Sequence, residues 1–279
     1  MRELSGKSKV GPFSAVADSI RELASFSELL RSMVIRDLKL RYRNSALGFL
    51  WSLMSPLLMT LVFILVFTVL TQSNIADYPV YLMAGLLPWL FTQGSIAGAL
   101  HSVTGSSNLI NKVYFPREFL PLAVVLAGFV QFSIAYALLI VGLLIFRVEL
   151  HTTIIFVPLI MLLNLVFVAG LAMVVATINV FFRDLQHLVE IGLLAWFFLT
   201  PIFYTLDIVP NTSFLGLDVH RWVFSLNPMA TLVTDYRYLL MEGYLPIRHT
   251  TVTLVAAIVL FVLGWYLMRR FSHRFAEIV

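Results

Sequence analysis

The chain has 279 residues, of which 60% are hydrophobic, 14% aromatic and 12% charged. Soluble domains carry roughly 25% charged residues, so this composition excludes a soluble globular enzyme, a disordered chain and a fibrous repeat. The sequence contains no cysteine, which excludes disulfides, thiolate metal sites and cysteine catalysis. The composition therefore predicts an all-α integral membrane protein.

Two segments precede the first long apolar run. Residues 1–25 form a predicted cytoplasmic tail, and residues 26–43 place apolar side chains at helical spacing on one face and charged ones on the other. Five basic against two acidic residues make the second segment basic. We therefore expect an amphipathic interfacial helix on anionic lipid headgroups, with a solvated cytoplasmic helix as the alternative. Its candidate functional residues are Arg36, Asp37, Lys39, Arg41, Tyr42 and Arg43.

Long uncharged runs predict six membrane-spanning helices. Residues 44–76 contain no charge, and the later runs are also long enough, or nearly so, for the roughly 20 helical residues that a bilayer requires. An even number of spans places both termini on one side. The predicted spans cover about 47–71, 79–104, 119–146, 153–181, 188–206 and 249–270.

The distribution of basic residues predicts the orientation. Fifteen of the nineteen Lys and Arg residues lie on the side of the termini, and four lie on the other side. Cytoplasmic loops carry the excess of Lys and Arg, so we expect both termini in the cytoplasm. This bias explains the net charge of +4 without a nucleic-acid partner. The start of the chain lacks the apolar core of a secretory signal, and we expect no cleavage there.

Residues 207–248 fit neither a span nor a plain loop. They follow an uncharged run of only 16 residues, 191–206, which Pro201 interrupts near its end. The segment then mixes apolar stretches with Asp and Arg residues. We expect short re-entrant helices that dip into the outer leaflet, with a plain outer loop as the alternative.

The chemical motifs point away from catalysis. Gly6-Lys7-Ser8 lacks the earlier glycine of a phosphate-binding loop, and His187 with Glu190 forms a single pair that we expect to be solvated. No Asp, Glu, Lys or Arg falls in the middle of a predicted span, so we find no ion relay. We therefore predict no catalytic, cofactor or metal site. The chain is either a passive pore or a subunit driven by another protein.

Aromatic residues concentrate in the first and fifth predicted spans. Most aromatic residues of membrane proteins anchor the protein in the interface or face lipid. Rings that face a wide cavity would instead suit a sugar chain, whose C–H faces pack on aromatic surfaces. The candidate channel-lining residues are Trp51, Phe63, Phe67, Trp196, Phe197 and Phe203.

Four stretches, in order along the chain, resemble the membrane subunits of type-2 ABC exporters that move polysaccharides. The resemblance covers the junction of the interfacial helix and first span, the loop after the second span, the exit of the fourth span, and the outer region. The stretches are RDLKLRYRNSALGFLWSL from Arg36 to Leu53, followed by Pro56; NLINKVYFPRE from Asn108 to Glu118, followed by Leu120-Pro121; NVFFRDL from Asn179 to Leu185; and Asn227-Pro228-Met229 with Tyr236-Arg237.

The resemblance implies a transport subunit in the bacterial inner membrane. Such permeases pair as homodimers, bind two cytoplasmic ATPase subunits that hold ATP and Mg²⁺, and export a lipid-linked polysaccharide. The absence of a large outer domain favours O-antigen over teichoic acid or capsular polysaccharide. A passive channel or scaffold, and a membrane-embedded glycan-modifying enzyme, are the alternatives from other classes.

The loop 108–118 is the predicted ATPase-coupling element. It is short, charged and cytoplasmic, yet it contains two neighbouring aromatic residues. We expect exposed rings that contact the partner, since aromatic and Arg side chains dominate interface energies. Folding of both rings back onto the membrane surface is the alternative. The candidate coupling residues are Asn108, Lys112, Tyr114, Phe115, Pro116, Arg117 and Glu118.

Overall fold

The structure is a computed structural model that describes residues 26–41, 50–66, 77–110, 115–145, 147–148, 151–205, 213–214, 217–218 and 227–278. Almost all of these residues are helical, as expected for apolar segments that must satisfy their backbone groups internally. Two short strands, β1 (Ser213–Phe214) and β2 (Leu217–Asp218), pair antiparallel, with Phe214 opposite Leu217.

Nine α-helices are described. Short 3₁₀ turns at Thr104–Ser106 and Thr152–Phe156 precede two of them, and a π-helical turn at Tyr238–Glu242 follows another. The helices are α1 (Ser27–Arg41), α2 (Trp51–Ile64), α3 (Tyr78–Leu100), α4 (Ser107–Ile110), α5 (Phe119–Ile145), α6 (Val157–Phe181), α7 (Leu185–Leu199), α8 (Pro228–Arg237) and α9 (Ile247–Ile278).

Within the described residues, four helical stretches are long and apolar enough to cross a membrane. They correspond to the second, third, fourth and sixth predicted spans. The described helix of the first span, α2, has 14 residues, and α7 of the fifth has 15. The four stretches are Tyr78–Leu100, Phe119–Ile145, Thr152–Phe181 and Ile247–Phe275.

Two glycines allow α6 and α9 to pack backbone against backbone. A Cβ atom on Gly170 would lie 2.5 Å from the backbone nitrogen of Phe261. A Cβ atom on Gly264 would lie 2.5 Å from the carbonyl oxygen of Gly170. Small residues at such crossings let membrane helices approach closely. Helix α9 continues past the predicted limit of residue 270, since Phe271 and Phe275 pack against Phe181 of α6.

Helix α8 lies inside the bundle although it is polar in part. It contacts α3, α6 and α9, and all of its residues from Met229 to Arg237 are buried. Pro228 occupies the first turn, where its missing N–H costs no hydrogen bond. The π-helical turn ends at Gly243, whose φ of +74° favours glycine. Helix α8 carries two buried charged side chains, Asp235 and Arg237.

Helix α1 packs against the protein along part of its apolar face. The ring of Phe26 meets that of Phe119 at 6.2 Å, and Met33 is buried. The face that the sequence pattern assigns to lipid is therefore covered in part by α5. Arg36 and Lys39 lie on the exposed side of the helix.

Candidate functional site

Four of the six predicted channel-lining residues lie in one aromatic cluster: Phe63, Trp196, Phe197 and Phe203. Phe63 of α2 stacks on Phe203 with ring centroids 6.0 Å apart, and it lies 6.1 Å from Phe197 of α7. Phe197 and Phe203 are 5.7 Å apart. The rings are partly buried, so each keeps some exposed surface. The geometry therefore brings the first and fifth predicted spans together at one aromatic surface.

Trp89 of α3 joins this cluster and was not singled out from the sequence. Its ring meets Trp196 edge to face at 5.7 Å and lies 5.7 Å from Phe197. Trp89 is almost completely buried, so it packs against the side of the cluster that faces the protein interior. Its place next to Pro88, in the middle of a span, is the sequence feature that sets it apart from an interfacial anchor.

The other two predicted ring residues are not shown to join the cluster. Trp51 lies at the start of α2 and is 48% exposed. Phe67 lies outside the described residues. The assignment of all six rings to a channel stays a prediction.

Asn227 connects the aromatic cluster to helix α8. Its side-chain oxygen accepts hydrogen bonds from the backbone N–H groups of Met229 and Ala230, so it caps α8. The same oxygen accepts the indole N–H of Trp196 at 2.8 Å. Its amide group donates to the hydroxyl oxygen of Thr200 at 3.1 Å. One side chain thus fixes the end of α7 against the start of α8.

Arg237 holds the other end of α8. The guanidinium donates to the carbonyl and hydroxyl oxygens of Tyr81, at 3.0 and 2.8 Å, and to the carbonyl oxygens of Pro201 and Ile202. It also lies over the Tyr81 ring, 3.5 Å from the centroid. A Cβ atom on Gly85 would lie 2.7 Å from Nη2 of Arg237, so glycine leaves the necessary space. The buried cation therefore joins α3, α8 and the chain that follows α7.

The structure of the predicted coupling loop differs from expectation at Phe115. This ring is 2% exposed and packs in the core of the chain, so the expectation that it is exposed is wrong. Arg117 lies over it with its central carbon 5.2 Å from the ring centroid, and donates to the carbonyl of Ile110 at 3.0 Å. The Phe115 ring therefore has its packing partners within the same subunit.

The remaining predicted coupling residues divide into two groups. Pro116 and Arg117 are half-buried, and Glu118 is buried in an ion pair with Arg269 at 2.8 Å. Lys112, Tyr114 and the side chain of Asn108 lie outside the described residues.

The polar face of α1 is described as far as Lys39. Arg36 forms an ion pair with its neighbour Asp37 at 2.9 Å, so one cation of this face already has an anionic partner. The side chain of Arg41, together with Tyr42 and Arg43, lies outside the described residues.

The pair of His187 and Glu190 is solvated as predicted. The two side chains lie 4.0 Å apart and are largely exposed. Among the described residues there is no group of three or more His, Cys, Asp or Glu side chains that could hold a metal ion.

Comparison with known proteins shows the family of the chain. Residues 28–241 match the family described as ABC-2 type transporter. The chain is 36% identical over 258 residues to the O-antigen export system permease protein RfbA of Myxococcus xanthus. This alignment covers 92% of the chain and 96% of that protein. It is 31% identical over 253 residues to a protein of the same name from Klebsiella pneumoniae, covering 90% and 95%. The polysialic acid transport protein KpsM of Escherichia coli is 20% identical over 224 residues, covering 77% and 82%. The chain therefore belongs to the ABC-2 type transporter family of membrane proteins.

Proposed function

We propose that this chain is the transmembrane subunit of an ATP-driven exporter that moves a lipid-linked, O-antigen-type polysaccharide across the bacterial inner membrane. The observation that carries this proposal is the match along about nine-tenths of the chain to permeases named for O-antigen export, at 29% to 36% identity. The proteins named for polysialic acid transport match at 20% identity over a smaller share. This difference favours O-antigen over capsular polysaccharide as the substrate.

The proposed topology has six spans with both termini in the cytoplasm. Among the described residues, four helical stretches are long enough to span, and we assign α2 and α7 to the two remaining spans. Helix α7 alone rises about 22 Å, which is short of the roughly 30 Å of a bilayer core. We assign α8 to a re-entrant helix that enters from the outer side and meets the end of α7 at Asn227. The excess of basic residues on the side of the termini supports this orientation.

The proposed pathway lies between two copies of the chain. Helix α7 exposes an apolar stripe at spacings of three and four residues, formed by Leu188, Ile191, Leu194 and Phe198. This stripe lies on the same helix as two rings of the aromatic cluster. A symmetric pair could place both clusters beside its two-fold axis, the commonest closed symmetry of identical subunits. The half-exposed rings would offer smooth surfaces to successive sugars.

The energy comes from a separate ATPase in this proposal. Two such subunits would hold ATP and Mg²⁺ and would bind the cytoplasmic loop between α3 and α5. In the described part of this loop, His101 and Gly105 are exposed. The buried Phe115 and Glu118 would transmit force to the bundle rather than touch the partner directly.

Reconstitution tests the proposal. The chain and its ATPase partner would be placed in lipid vesicles that contain the lipid-linked polysaccharide, and movement of the glycan across the bilayer would be measured with ATP. We expect transport that stops with a hydrolysis-dead ATPase. Transport that persists without hydrolysis would show a passive channel and overturn the proposal.

A further inference from the structure

A small cavity with several polar side chains in its wall lies where α8 and its π-helical turn meet the start of α9. Its volume is about 240 Å³, below the roughly 300–1,000 Å³ of pockets for drug-sized ligands. The cavity lies at the end of the bundle opposite the ion pair of Glu118 and Arg269. Besides Pro246, it is lined by Thr231, Thr234, Asp235, Tyr238, Tyr244 and His249.

Asp235 is the unusual group of this cavity. Its side chain is completely buried, and one carboxylate oxygen accepts the hydroxyl of Thr250 at 2.9 Å. The other oxygen, Oδ1, is buried without a hydrogen-bond partner. A buried acceptor without a partner is costly, and it is more so when it carries charge. The nearby Arg237 directs its guanidinium away, toward Tyr81 and the carbonyls after α7. This oxygen is therefore suited to a ligand that donates hydrogen bonds.

The other lining groups indicate the class of ligand. Tyr244 stacks on Tyr238 with ring centroids 4.5 Å apart, and 47% of it is exposed. Its outer face can pack against the C–H groups of a ligand, while threonine hydroxyls can both donate and accept hydrogen bonds. A metal ion fits less well, because the described residues hold no cluster of three metal-binding side chains. An aromatic face beside a carboxylate and hydroxyls suits a neutral sugar.

We propose that this cavity binds a single sugar unit, whose hydroxyl groups donate to Asp235 while one face of its ring packs on Tyr244. The inference rests on the proposed function, which brings a glycan to this end of the bundle. The carboxylate lies beneath the accessible surface, so side chains that line the cavity move before a sugar hydroxyl reaches it. Side-chain rotations of this kind are fast.

Saturation-transfer NMR on the full chain in lipid nanodiscs tests the proposal. The probes are the methyl glycosides of mannose, galactose, glucose and rhamnose, each added separately. We expect saturation transfer to at least one probe and its loss in D235L. Leucine is close in size, and Thr250 keeps a hydrogen bond to the carbonyl of Pro246 in that variant. E242Q changes an exposed carboxylate on the same segment and serves as the matched control that keeps the signal.

Each outcome is decisive. The absence of a signal from the wild-type chain, or a signal that persists in D235L and in D235N, overturns the proposal. A thermal shift caused by CaCl₂ or NaCl that D235L removes, without any glycoside signal, assigns the cavity to a cation and also overturns it. The measurement needs neither ATPase nor lipid-linked substrate. A glycoside signal together with failed ATP-driven export would therefore refute the proposed function and leave the sugar site standing.

Discussion

Glu118 and Arg269 lie 151 residues apart in the sequence, and their side chains meet at 2.8 Å. The glutamate is 2% exposed, whereas the arginine side chain keeps 28% of its surface accessible. Glu118 ends the loop that precedes α5, and Arg269 lies on α9. The ion pair therefore joins the predicted coupling loop to the last helix, which itself packs along α6.

Removal of the arginine should destabilise the protein. We expect R269Q to lower the free energy of unfolding by about 1–3 kcal/mol, because it leaves Glu118 buried and unpaired. This is less than the roughly 3–5 kcal/mol for a fully buried pair, since Arg269 is partly exposed. Thermal unfolding in detergent measures the change. R270Q is the control, because Arg270 is exposed and contacts Tyr266 on its own helix. Equal losses in the two variants would contradict a special role for the pair.

The ion pair of Glu118 and Arg269 and the burial of Phe115 are two features that sequence patterns do not predict. Uncharged runs identify the long spans, because the bilayer demands apolar residues over a fixed length. The partner of Glu118 lies at the far end of the chain, and no periodicity connects the two. Phe115 resembles an exposed interface residue in a charged loop, yet it is buried by contacts that only the folded bundle provides. Contacts between residues distant in the sequence therefore determine both the ion pair and the burial of Phe115.

The sequence indicates which spans contribute aromatic rings to the cluster, but it does not indicate which of those rings touch. The first and fifth predicted spans are rich in aromatic rings, and this singles out Phe63, Phe197 and Phe203 together. Helix phase and the crossing of α3 then decide which rings meet. Trp89 joins the cluster because α3 packs against α7. The contact between these two helices cannot be read from a single sequence.

Gly85 should be intolerant of a side chain. An alanine Cβ there would lie 2.7 Å from Arg237 Nη2 and 2.9 Å from Cγ1 of Val233, so the buried guanidinium would have to shift. We expect G85A to lower the free energy of unfolding by about 1–3 kcal/mol through overpacking. G94A is the matched control on the same helix, since its Cβ would meet nothing within 4 Å. The comparison of melting temperatures would refute this account if G85A matched G94A.

The aromatic cluster should be accessible to water during transport if it lines the pathway. The chain has no cysteine, so single replacements at Phe197 and Phe203 give unique thiols. We expect both to react with a membrane-impermeant maleimide at least tenfold faster when the ATPase turns over. L159C is the control, because Leu159 is exposed on an apolar spanning helix and should face lipid. Rates as slow as those of L159C would place the rings in lipid instead.

Asp235 should make the stability of the protein depend on pH. The residue lies on α8, outside the four spanning stretches, and burial raises the pKa of its carboxyl from 3.8 to about 7, with only the Thr250 hydroxyl acting against the shift. An unfolded aspartate ionises near pH ~3.9. Between these two values the folded chain binds more protons than the unfolded chain, so the free energy of unfolding falls as the pH rises from about 4 to about 7.

D235N removes this titration without removing the side-chain volume. We therefore expect its melting temperature to exceed that of the wild type at pH 8, where the wild-type carboxylate is charged, and to approach it at pH 5, where the carboxyl is neutral. D184N serves as the control, because Asp184 is exposed and its side chain makes no capping hydrogen bond to α7. Melting curves from pH 5 to pH 8 in the same detergent measure the difference. A gap between D235N and wild type that stays constant over this range would mean that Asp235 keeps one protonation state from pH 5 to pH 8, and it would contradict a titration near neutral pH.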